Sequence, residues 1–178
     1  MKLPSGFETA RLVLREAVAS DAQAIFSEYA ADPEVTRYLS FPTHTSRADA
    51  DAFLDSVATL RQAGRANTYV LTRRGEEQLL GVFDLRIESP VRLTFGYALG
   101  RRHWGQGLMP EVLAAAVAWA RDQPEVWRLW AFCDGANKAS ARTMEKAGLE
   151  FEGVLRRWFV YPNIGPEPRD SRAYAWVR

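Results

Sequence analysis

The chain of 178 residues contains one cysteine and almost no net charge, and each scarcity excludes a class of protein. One cysteine cannot form an intrachain disulfide, which excludes a disulfide-stabilised scaffold and is compatible with a reducing compartment. The formal net charge of +1 provides no broad basic surface for nucleic acid or an anionic membrane. No apolar run approaches the about 20 residues that span a bilayer, and no signal-peptide core is present. We therefore expect a cytoplasmic protein without a nucleic-acid or membrane partner.

Histidine is equally scarce, and this limits the chemistry that the sequence predicts. His44 and His103 are isolated from each other, so the sequence predicts no metal site. Cys133 closes an apolar stretch without a histidine nearby in sequence, and we expect a packed core residue rather than a nucleophile. Repeats, low-complexity tracts and linkers are also absent, and the length suits one sizeable core. Residues 1–178 are therefore predicted to form a single domain.

The most informative segment has the sequence RRHWGQGLMPE and covers residues 101–111. Gly105 and Gly107 lack the Cβ atoms that keep ligands off the backbone, and they permit positive φ, so successive N–H groups can converge on one anion. A helix is predicted from about Pro110 to Arg121, because proline suits the first helical turn. The start of such a helix carries unpaired donors and about half a positive charge. The pattern predicts a pyrophosphate site, with an ordinary glycine turn as the alternative.

Strands and helices alternate around this segment. Gly96 lies inside a predicted strand, where a glycine indicates a bulge or a close backbone approach that would splay neighbouring strands. Ser20 and Gln23 have the spacing of a capping box, and an apolar stripe predicts a helix from about Ser46 to Gly64. Together these signals predict a mixed sheet covered by helices on its faces. Strands are predicted near residues 68–73, 79–87, 91–99, 126–133, 151–161 and 173–177, and an irregular connection over 32–44.

A second motif follows the strand that ends near Cys133. Asn137 is a good N-cap for a helix that Gly148 can end, and the whole pattern is Asn-x-x-Ser-(x)5-Lys-x-Gly-Leu. This motif together with the preceding Arg-x-x-Gly-x-Gly loop resembles the GNAT superfamily of acyl-CoA-dependent N-acetyltransferases. Residues 8–15 (ETARLVLR) and 151–156 (FEGVLR) are similar to the Rim-type branch, which acetylates ribosomal-protein N-termini. The resemblance implies an α/β fold with a mixed, mostly antiparallel sheet of roughly seven strands, a splayed strand pair and about four flanking helices.

The resemblance implies acetyl-CoA as the acyl donor and direct attack of an amine on the thioester. Backbone N–H groups of residues 105–109, with Arg101 or Arg102, would bind the pyrophosphate. Asn137 and Ser140 match the family's catalytic positions beside the pantetheine arm and the sulfur. Ser140 is expected to donate a hydrogen bond or a proton to the leaving thiolate, with water as the alternative donor, because no tyrosine stands in residues 137–148; its other possible role is a small residue in the first helical turn. The full set of predicted cofactor contacts comprises Ala98, Leu99, Arg101, Arg102, Trp104, Gly105, Gln106, Gly107, Leu108, Met109, Asn137, Ser140 and Arg142.

The general base is left open between Asp84, Glu88, Asp134 and water. Deprotonating an α-amine at pH 7 costs about 1 kcal/mol, against about 4 to 5 kcal/mol for a lysine-like amine, so an α-amino acceptor needs only a weak base. Aromatic residues from two distant segments are expected to form the acceptor pocket, namely Tyr38, Phe41, Trp158 and Tyr161.

These observations predict an N-acetyltransferase that acts on the α-amine of a protein or peptide, or on a small amine. Two alternatives are the same chemistry on an antibiotic or polyamine and a catalytically silent module that binds CoA or a partner. The predicted assembly is a monomer or a homodimer, and the acyl chain length is open.

Overall fold

The computed structural model describes all 178 residues, and one eight-stranded sheet spans almost the whole chain, in the order β1-β2-β3-β4-β5-β6-β8-β7. Every neighbouring pair is antiparallel except β5 with β6. The predicted mixed, mostly antiparallel sheet is therefore confirmed, with one strand more than the roughly seven expected. The strands are β1 (Gly6–Glu8), β2 (Leu12–Glu16), β3 (Ala66–Arg73), β4 (Gly81–Ser89), β5 (Arg92–Leu99), β6 (Arg128–Asp134), β7 (Glu150–Phe159) and β8 (Arg169–Val177).

Five α-helices cover the two faces of the sheet, one more than the sequence predicted. The additional helix is α2, a single turn within the connection that was expected to be irregular; Pro33 occupies its first position and the Asp32 carboxylate accepts from the Glu34 N–H at 2.9 Å. Asn137 is an N-cap as predicted, and the helix predicted from about Ser46 begins directly after that residue. The helices are α1 (Ala22–Ile25), α2 (Pro33–Thr36), α3 (Arg47–Gln62), α4 (Leu108–Asp122) and α5 (Lys138–Lys146).

The predicted capping box at Ser20 and Gln23 is wrong. The chain enters this region through a 3-10 turn (Ala19–Asp21), and α1 continues into a π-helical turn (Phe26–Ala30). The Asp21 carboxylate accepts from the Val18 N–H at 2.9 Å and pairs with Arg15 at 2.6 Å. The aspartate rather than the serine therefore closes the first turn, because Arg15 on β2 holds its carboxylate in place.

Two apolar cores lie on opposite faces of the sheet. On one face Leu113 and Met144, from α4 and α5, belong to a buried cluster with Phe83 of β4. On the other face Leu54 of α3 belongs to a cluster with Val82 of β4. Because side chains of a strand alternate between faces, consecutive residues of β4 serve different cores. This double coverage explains why the first five residues of β4 are all buried.

The parallel strands β5 and β6 separate before they end. Their pairing covers Arg92 to Thr94 on β5, although β5 continues to Leu99. The predicted splay is thus present, but its predicted cause at Gly96 is wrong. Gly96 stays in register opposite Asp84 of β4 without a bulge, and a Cβ placed on it would meet nothing within 4 Å. The glycine borders an open space, which is the cleft between the separated strands.

Candidate active site

The cleft between β5 and β6 has a volume of about 730 Å³ and is lined on both sides by residues that the sequence pattern singled out. One end lies at the loop between β5 and α4, and the other lies at α2 and the residues after it. The buried side chain of Cys133 borders the cleft as well as the core, and burial raises the pKa of its thiol to about 11. The predicted residues that line the cleft are Ala98, Leu99, Trp104, Gly105, Gly107, Leu108, Met109, Asn137, Ser140, Arg142, Tyr38 and Tyr161.

The glycine loop, residues 100–107, presents its backbone to the cleft. Gly105 and Gly107 have φ of +74° and +71°, a left-handed conformation that strongly favours glycine. The N–H groups of residues 105–109 donate to no protein acceptor. Gly107 is the N-cap of α4, which starts at Leu108 rather than at Pro110. Converging unpaired donors at a helix start form a site for an anion, and the residues therefore fit a pyrophosphate.

The side chains of Arg101, Arg102 and Gln106 do not line the cleft, contrary to the predicted contacts. Arg101 pairs with Asp32 at 3.1 Å, and Arg102 pairs with Glu28, whose carboxylate also contacts His103 at 3.0 Å. The side-chain oxygen of Gln106 accepts a hydrogen bond from Arg73 at 2.7 Å. These pairs attach the glycine loop to neighbouring elements, and they leave the backbone of Gly105 and Gly107 rather than the arginine side chains at the cleft.

A second anchor of the glycine loop comes from the turn between β1 and β2. Arg11 donates to the Gln106 carbonyl at 3.0 Å and pairs with Glu111 of α4 at 2.6 Å. The Glu111 carboxylate also accepts from the Thr9 hydroxyl at 2.6 Å. Thr9 and Arg11 lie in the segment that resembles the Rim-type branch, and Glu111 lies at the end of residues 101–111, but none of the three had a predicted role. Their contacts form only in the folded protein, where β1 lies beside α4.

Tyr97 and Ser140 meet where β5 and α5 face each other across the cleft. The Tyr97 hydroxyl lies 2.8 Å from Ser140 Oγ, and Asn137 Oδ1 accepts from the Ser140 N–H at 3.1 Å. Burial raises the pKa of Tyr97 to about 12, so its proton is retained at neutral pH. Tyr97 lies outside residues 137–148, the segment in which a tyrosine was expected and found absent, and its role was therefore not predicted. Its position beside Gly96, near the end of the strand that borders the loop, was the available signal.

The opposite end of the cleft is aromatic. The rings of Tyr38 and Tyr161 meet edge to face with centroids 6.5 Å apart, and Phe159 lies 5.0 Å from Tyr161. Phe41 and Trp158 do not line the cleft, so the structure brings together only two of the four predicted acceptor aromatics. Phe41 packs on Phe53 in the second core, and Trp158 packs on Phe132 with half of its surface exposed.

Asn163 connects the two segments of this aromatic end. Its amide N–H groups donate to the carbonyls of Thr36 and Phe41, both at 2.8 Å, and its oxygen accepts from the Thr43 N–H at 2.9 Å. The β7–β8 loop is thereby attached to the connection after α2. This loop is rich in proline, and Asn163 is the residue that holds it in place.

The three carboxylates considered as bases have different surroundings. Asp134 is fully buried and accepts two hydrogen bonds from Arg169, at 2.6 and 3.2 Å. Glu88 accepts from the Trp130 indole at 2.7 Å, near the paired ends of β5 and β6. Asp84 lies opposite Gly96 and contacts Arg86, which lines the cleft, and Thr68, which donates at 2.7 Å. Burial raises the pKa of Asp84 above its ordinary value.

Two further absences describe the chain. It has no group of three or more His, Cys, Asp or Glu side chains placed to hold a metal ion. None of its helices combines the length and apolar character needed to cross a membrane.

Several known proteins are similar to this chain in sequence or in fold. The family description "Acetyltransferase (GNAT) domain" matches residues 11–150. The uncharacterized N-acetyltransferase YoaA of Bacillus subtilis is 32% identical over 173 residues, 96% of each chain. The [ribosomal protein uS5]-alanine N-acetyltransferase of Escherichia coli is 26% identical over 164 residues, covering 85% of this chain and 81% of the relative. A structure of the ribosomal L7/L12 α-N-protein acetyltransferase RimL with coenzyme A has a TM-score of 0.82 at 22% identity, covering 99% and 98% of the two chains.

Proposed function

Because the chain belongs to the GNAT acetyltransferase family and is an N-acetyltransferase with acetyl-CoA as its donor, we propose that it acetylates the α-amine of a protein or peptide by direct attack in a ternary complex. The observation that carries the proposal is the cleft itself. It joins a backbone anion site, the Tyr97–Ser140 pair and an open aromatic end. We further propose that residues 1–178 act as one domain, since a single sheet includes strands from Gly6 to Val177.

The backbone of the glycine loop would hold the donor. Five consecutive N–H groups, those of residues 105–109, are available to phosphate oxygens, and the exposed edge of β5 near Ala98 and Leu99 can pair with the amides of an extended arm. When bound, acetyl-CoA supplies the activated acyl group as a thioester. Most of the rate enhancement would come from positioning, because a fixed geometry removes the entropic cost of bringing two reactants together.

Ser140 and Tyr97 would deliver a proton to the departing sulfur. Ser140 holds its place through the Asn137 cap, and the Tyr97 hydroxyl at 2.8 Å can replace the proton that Ser140 gives up. A tyrosine that stays protonated at neutral pH is suited to this role. The predicted role of Ser140 is thereby retained, with Tyr97 behind it.

Asp84 would accept the amine proton through water. It lies opposite the one residue of β5 that has no side chain, and a water molecule on Gly96 can therefore connect the carboxylate to the cleft. A raised pKa makes this carboxylate a stronger base than an exposed aspartate. Asp134 is fully buried against Arg169, and Glu88 lies near the paired ends of β5 and β6, whereas Asp84 lies opposite Gly96, in the part of β5 that does not pair with β6; this position favours Asp84 among the three candidates.

The acceptor assignment is supported by the open aromatic end and by the relatives. The uS5-alanine enzyme acts on an alanine of a ribosomal protein according to its name, and the chain covers most of its length. RimL is named as an α-N-protein acetyltransferase. An α-amine also matches a site with one partly shielded base, since its deprotonation at pH 7 costs only about 1 kcal/mol.

The test is thiol release from acetyl-CoA across N-terminal peptides, lysine peptides, polyamines and aminoglycosides, with acetyl-CoA affinity measured by calorimetry on the same sample. We expect turnover with free N-terminal peptides and none after their α-amine is blocked. Turnover confined to polyamines or aminoglycosides would contradict the α-amine assignment and favour a small-molecule acceptor. Tight acetyl-CoA binding without turnover of any acceptor would contradict the catalytic proposal as a whole.

A further inference from the structure

A second depression, the arginine groove, lies next to the aromatic end of the cleft and has a volume of about 1070 Å³. It is bordered by residues 134–136, by residues 164–170 of the β7–β8 loop and its end, and by Arg156 and Arg157 of β7. The cleft begins at the adjoining positions Cys133, Asn137 and Tyr161. If the α-amine of a polypeptide reaches the thioester in the cleft, the residues that follow it would therefore lie along the arginine groove.

The backbone of β7 is distorted where it supplies the two arginines. Leu155 pairs with Ser171 and Phe159 pairs with Arg169, so three residues of β7 face the single residue Asp170. Within this bulge Arg157 has a φ of +47°, and it is the only non-glycine residue of the chain with a positive φ. Regular strand residues alternate between faces, whereas the bulge lets consecutive arginines border the same groove.

Asp170 stabilises this conformation. Its carboxylate accepts from the Arg157 backbone N–H at 2.8 Å. A left-handed arginine costs about 1 kcal/mol or more, and such strain persists only where surrounding contacts maintain it. Strained residues concentrate at binding sites, which makes the observed bulge a reason to look for a ligand.

Three arginines line the arginine groove together with three acidic residues, and of the carboxylates those of Glu167 and Asp170 are exposed. Asp134 is fully buried beneath Arg169, whose side chain remains 40% exposed. Glu167 lies 3.8 Å from Arg157 and is itself 83% exposed, which makes a weak ion pair. Arg156 forms no ion pair at all. Only two of the twelve lining residues are hydrophobic, so the groove suits a charged ligand.

We propose that the arginine groove binds carboxylate side chains of an acidic stretch that follows the acetylated N-terminus of a polypeptide acceptor. This inference rests on the proposed function and specifies its substrate class. Arg156 and Arg157 contribute guanidinium groups that form charge-assisted, two-point hydrogen bonds with carboxylates. Arg169 adds its exposed side and is oriented from behind by Asp134.

The experiment compares two peptides that differ in charge alone. Both begin with the same two residues and a free α-amine; one continues with three glutamates and the other with three glutamines. For the native enzyme we expect kcat/KM to be at least about tenfold higher with the glutamate peptide than with the glutamine peptide. The difference should come from a lower KM rather than from a higher kcat. Added salt should reduce this preference, because it screens exposed charges.

The matched variant is Arg156→Gln combined with Arg157→Asn, since asparagine tolerates a left-handed backbone. It should raise the KM of the glutamate peptide about tenfold or more. The kcat, the KM of acetyl-CoA and the KM of the glutamine peptide should stay unchanged. Arg47→Gln, on the exposed face of α3, removes one arginine elsewhere and should leave the preference intact.

The possible outcomes distinguish this inference from the proposed function on which it rests. Equal kcat/KM for the two peptides, or an equal loss for both in the double variant, would overturn the arginine groove while leaving the α-amine acetyltransferase in place. Acetylation of small amines without turnover of either peptide would overturn both.

Discussion

The donor end of the cleft is made largely of backbone from one continuous stretch of chain, whereas the acceptor end is assembled from side chains of distant segments. Residues 105–109 present consecutive N–H groups at the start of α4. The aromatic end instead needs Tyr38 and Tyr161, held together through Asn163. A backbone site depends on conformation and tolerates many side chains, whereas a side-chain site changes with each substitution. We therefore expect donor binding to be insensitive to most mutations and acceptor choice to be easily altered.

The largest effect is expected when the backbone site is filled. Gly107→Arg should abolish acetyl-CoA binding, because it places a large side chain on a left-handed residue that lines the cleft. Gly75→Arg is the matched control, since Gly75 has a φ of +77° in a turn away from the cleft. Both variants should lose about 1 to 2 kcal/mol of unfolding free energy. Calorimetry that finds native affinity in Gly107→Arg would remove the glycine loop from the donor site.

The next effect concerns the proton donor pair. Tyr97→Phe and Ser140→Ala should each lower kcat about 100-fold while sparing acetyl-CoA affinity, because both interrupt the same proton path. The double variant should be little worse than either single one. Tyr174→Phe removes a hydroxyl that contacts Glu145 and serves as the control for losing a buried tyrosine hydroxyl. Additive losses in single-turnover measurements would show that the two hydroxyls act separately.

A smaller effect is expected from the base. Asp84→Asn should slow turnover of an α-amine acceptor about 10-fold and of a lysine peptide more, because the lysine amine is harder to deprotonate. Since burial raises the pKa of Asp84, the native rate should fall as pH decreases through that raised pKa, and the variant should lose this acid limb. Asp122→Asn, at the exposed end of α4, is the control. An unchanged acid limb in the pH profile would exclude Asp84.

Asp84→Asn also tests how the charge of Asp84 affects the free energy of unfolding. A carboxyl whose pKa is raised on folding binds more protons in the native state, so its contribution to stability improves as pH falls through the raised value. At neutral pH the buried charge is a cost, and Asp84→Asn should leave the free energy of unfolding unchanged or increase it. Denaturant titrations at neutral and acidic pH measure this. A clear loss of stability at neutral pH would mean that the Asp84–Arg86 pair holds the fold.

The smallest effect is expected at the acceptor end. Asn163→Ala removes four hydrogen bonds that join the β7–β8 loop to the end of α2 and the connection after it. It should cost about 1 to 3 kcal/mol of unfolding free energy and raise the peptide KM a few-fold, because the aromatic wall becomes mobile. Acetyl-CoA affinity serves as the internal control. A rise in the acetyl-CoA KM equal to that of the peptide would contradict the separation of the two ends.

Local signals predicted the conformation of the glycine loop and of the helix ends. The positive φ of Gly105, Gly107 and Gly148 follows from glycine at turn and helix-end positions. Likewise the helix starts after Ser46 and Asn137 depend on a side chain close by in the chain: the Asp49 carboxylate accepts from the Ser46 N–H, and the Asn137 side chain accepts from the Ser140 N–H. Such features are settled within a few residues of chain. The errors arose where a distant partner intervened, as at Asp21, whose carboxylate is held by Arg15 on β2.

The sequence by itself determined the alternation of strands and helices, the helix caps and the left-handed glycine loop, because these depend on spacing and on the conformational freedom of single residues. Only the tertiary structure decided that Arg101 and Arg102 pair with acidic residues, that Tyr97 meets Ser140, and that Phe41 and Trp158 leave the cleft. A long charged or aromatic side chain has several partners within reach along the chain. Which one it contacts depends on how the sheet and its helices pack.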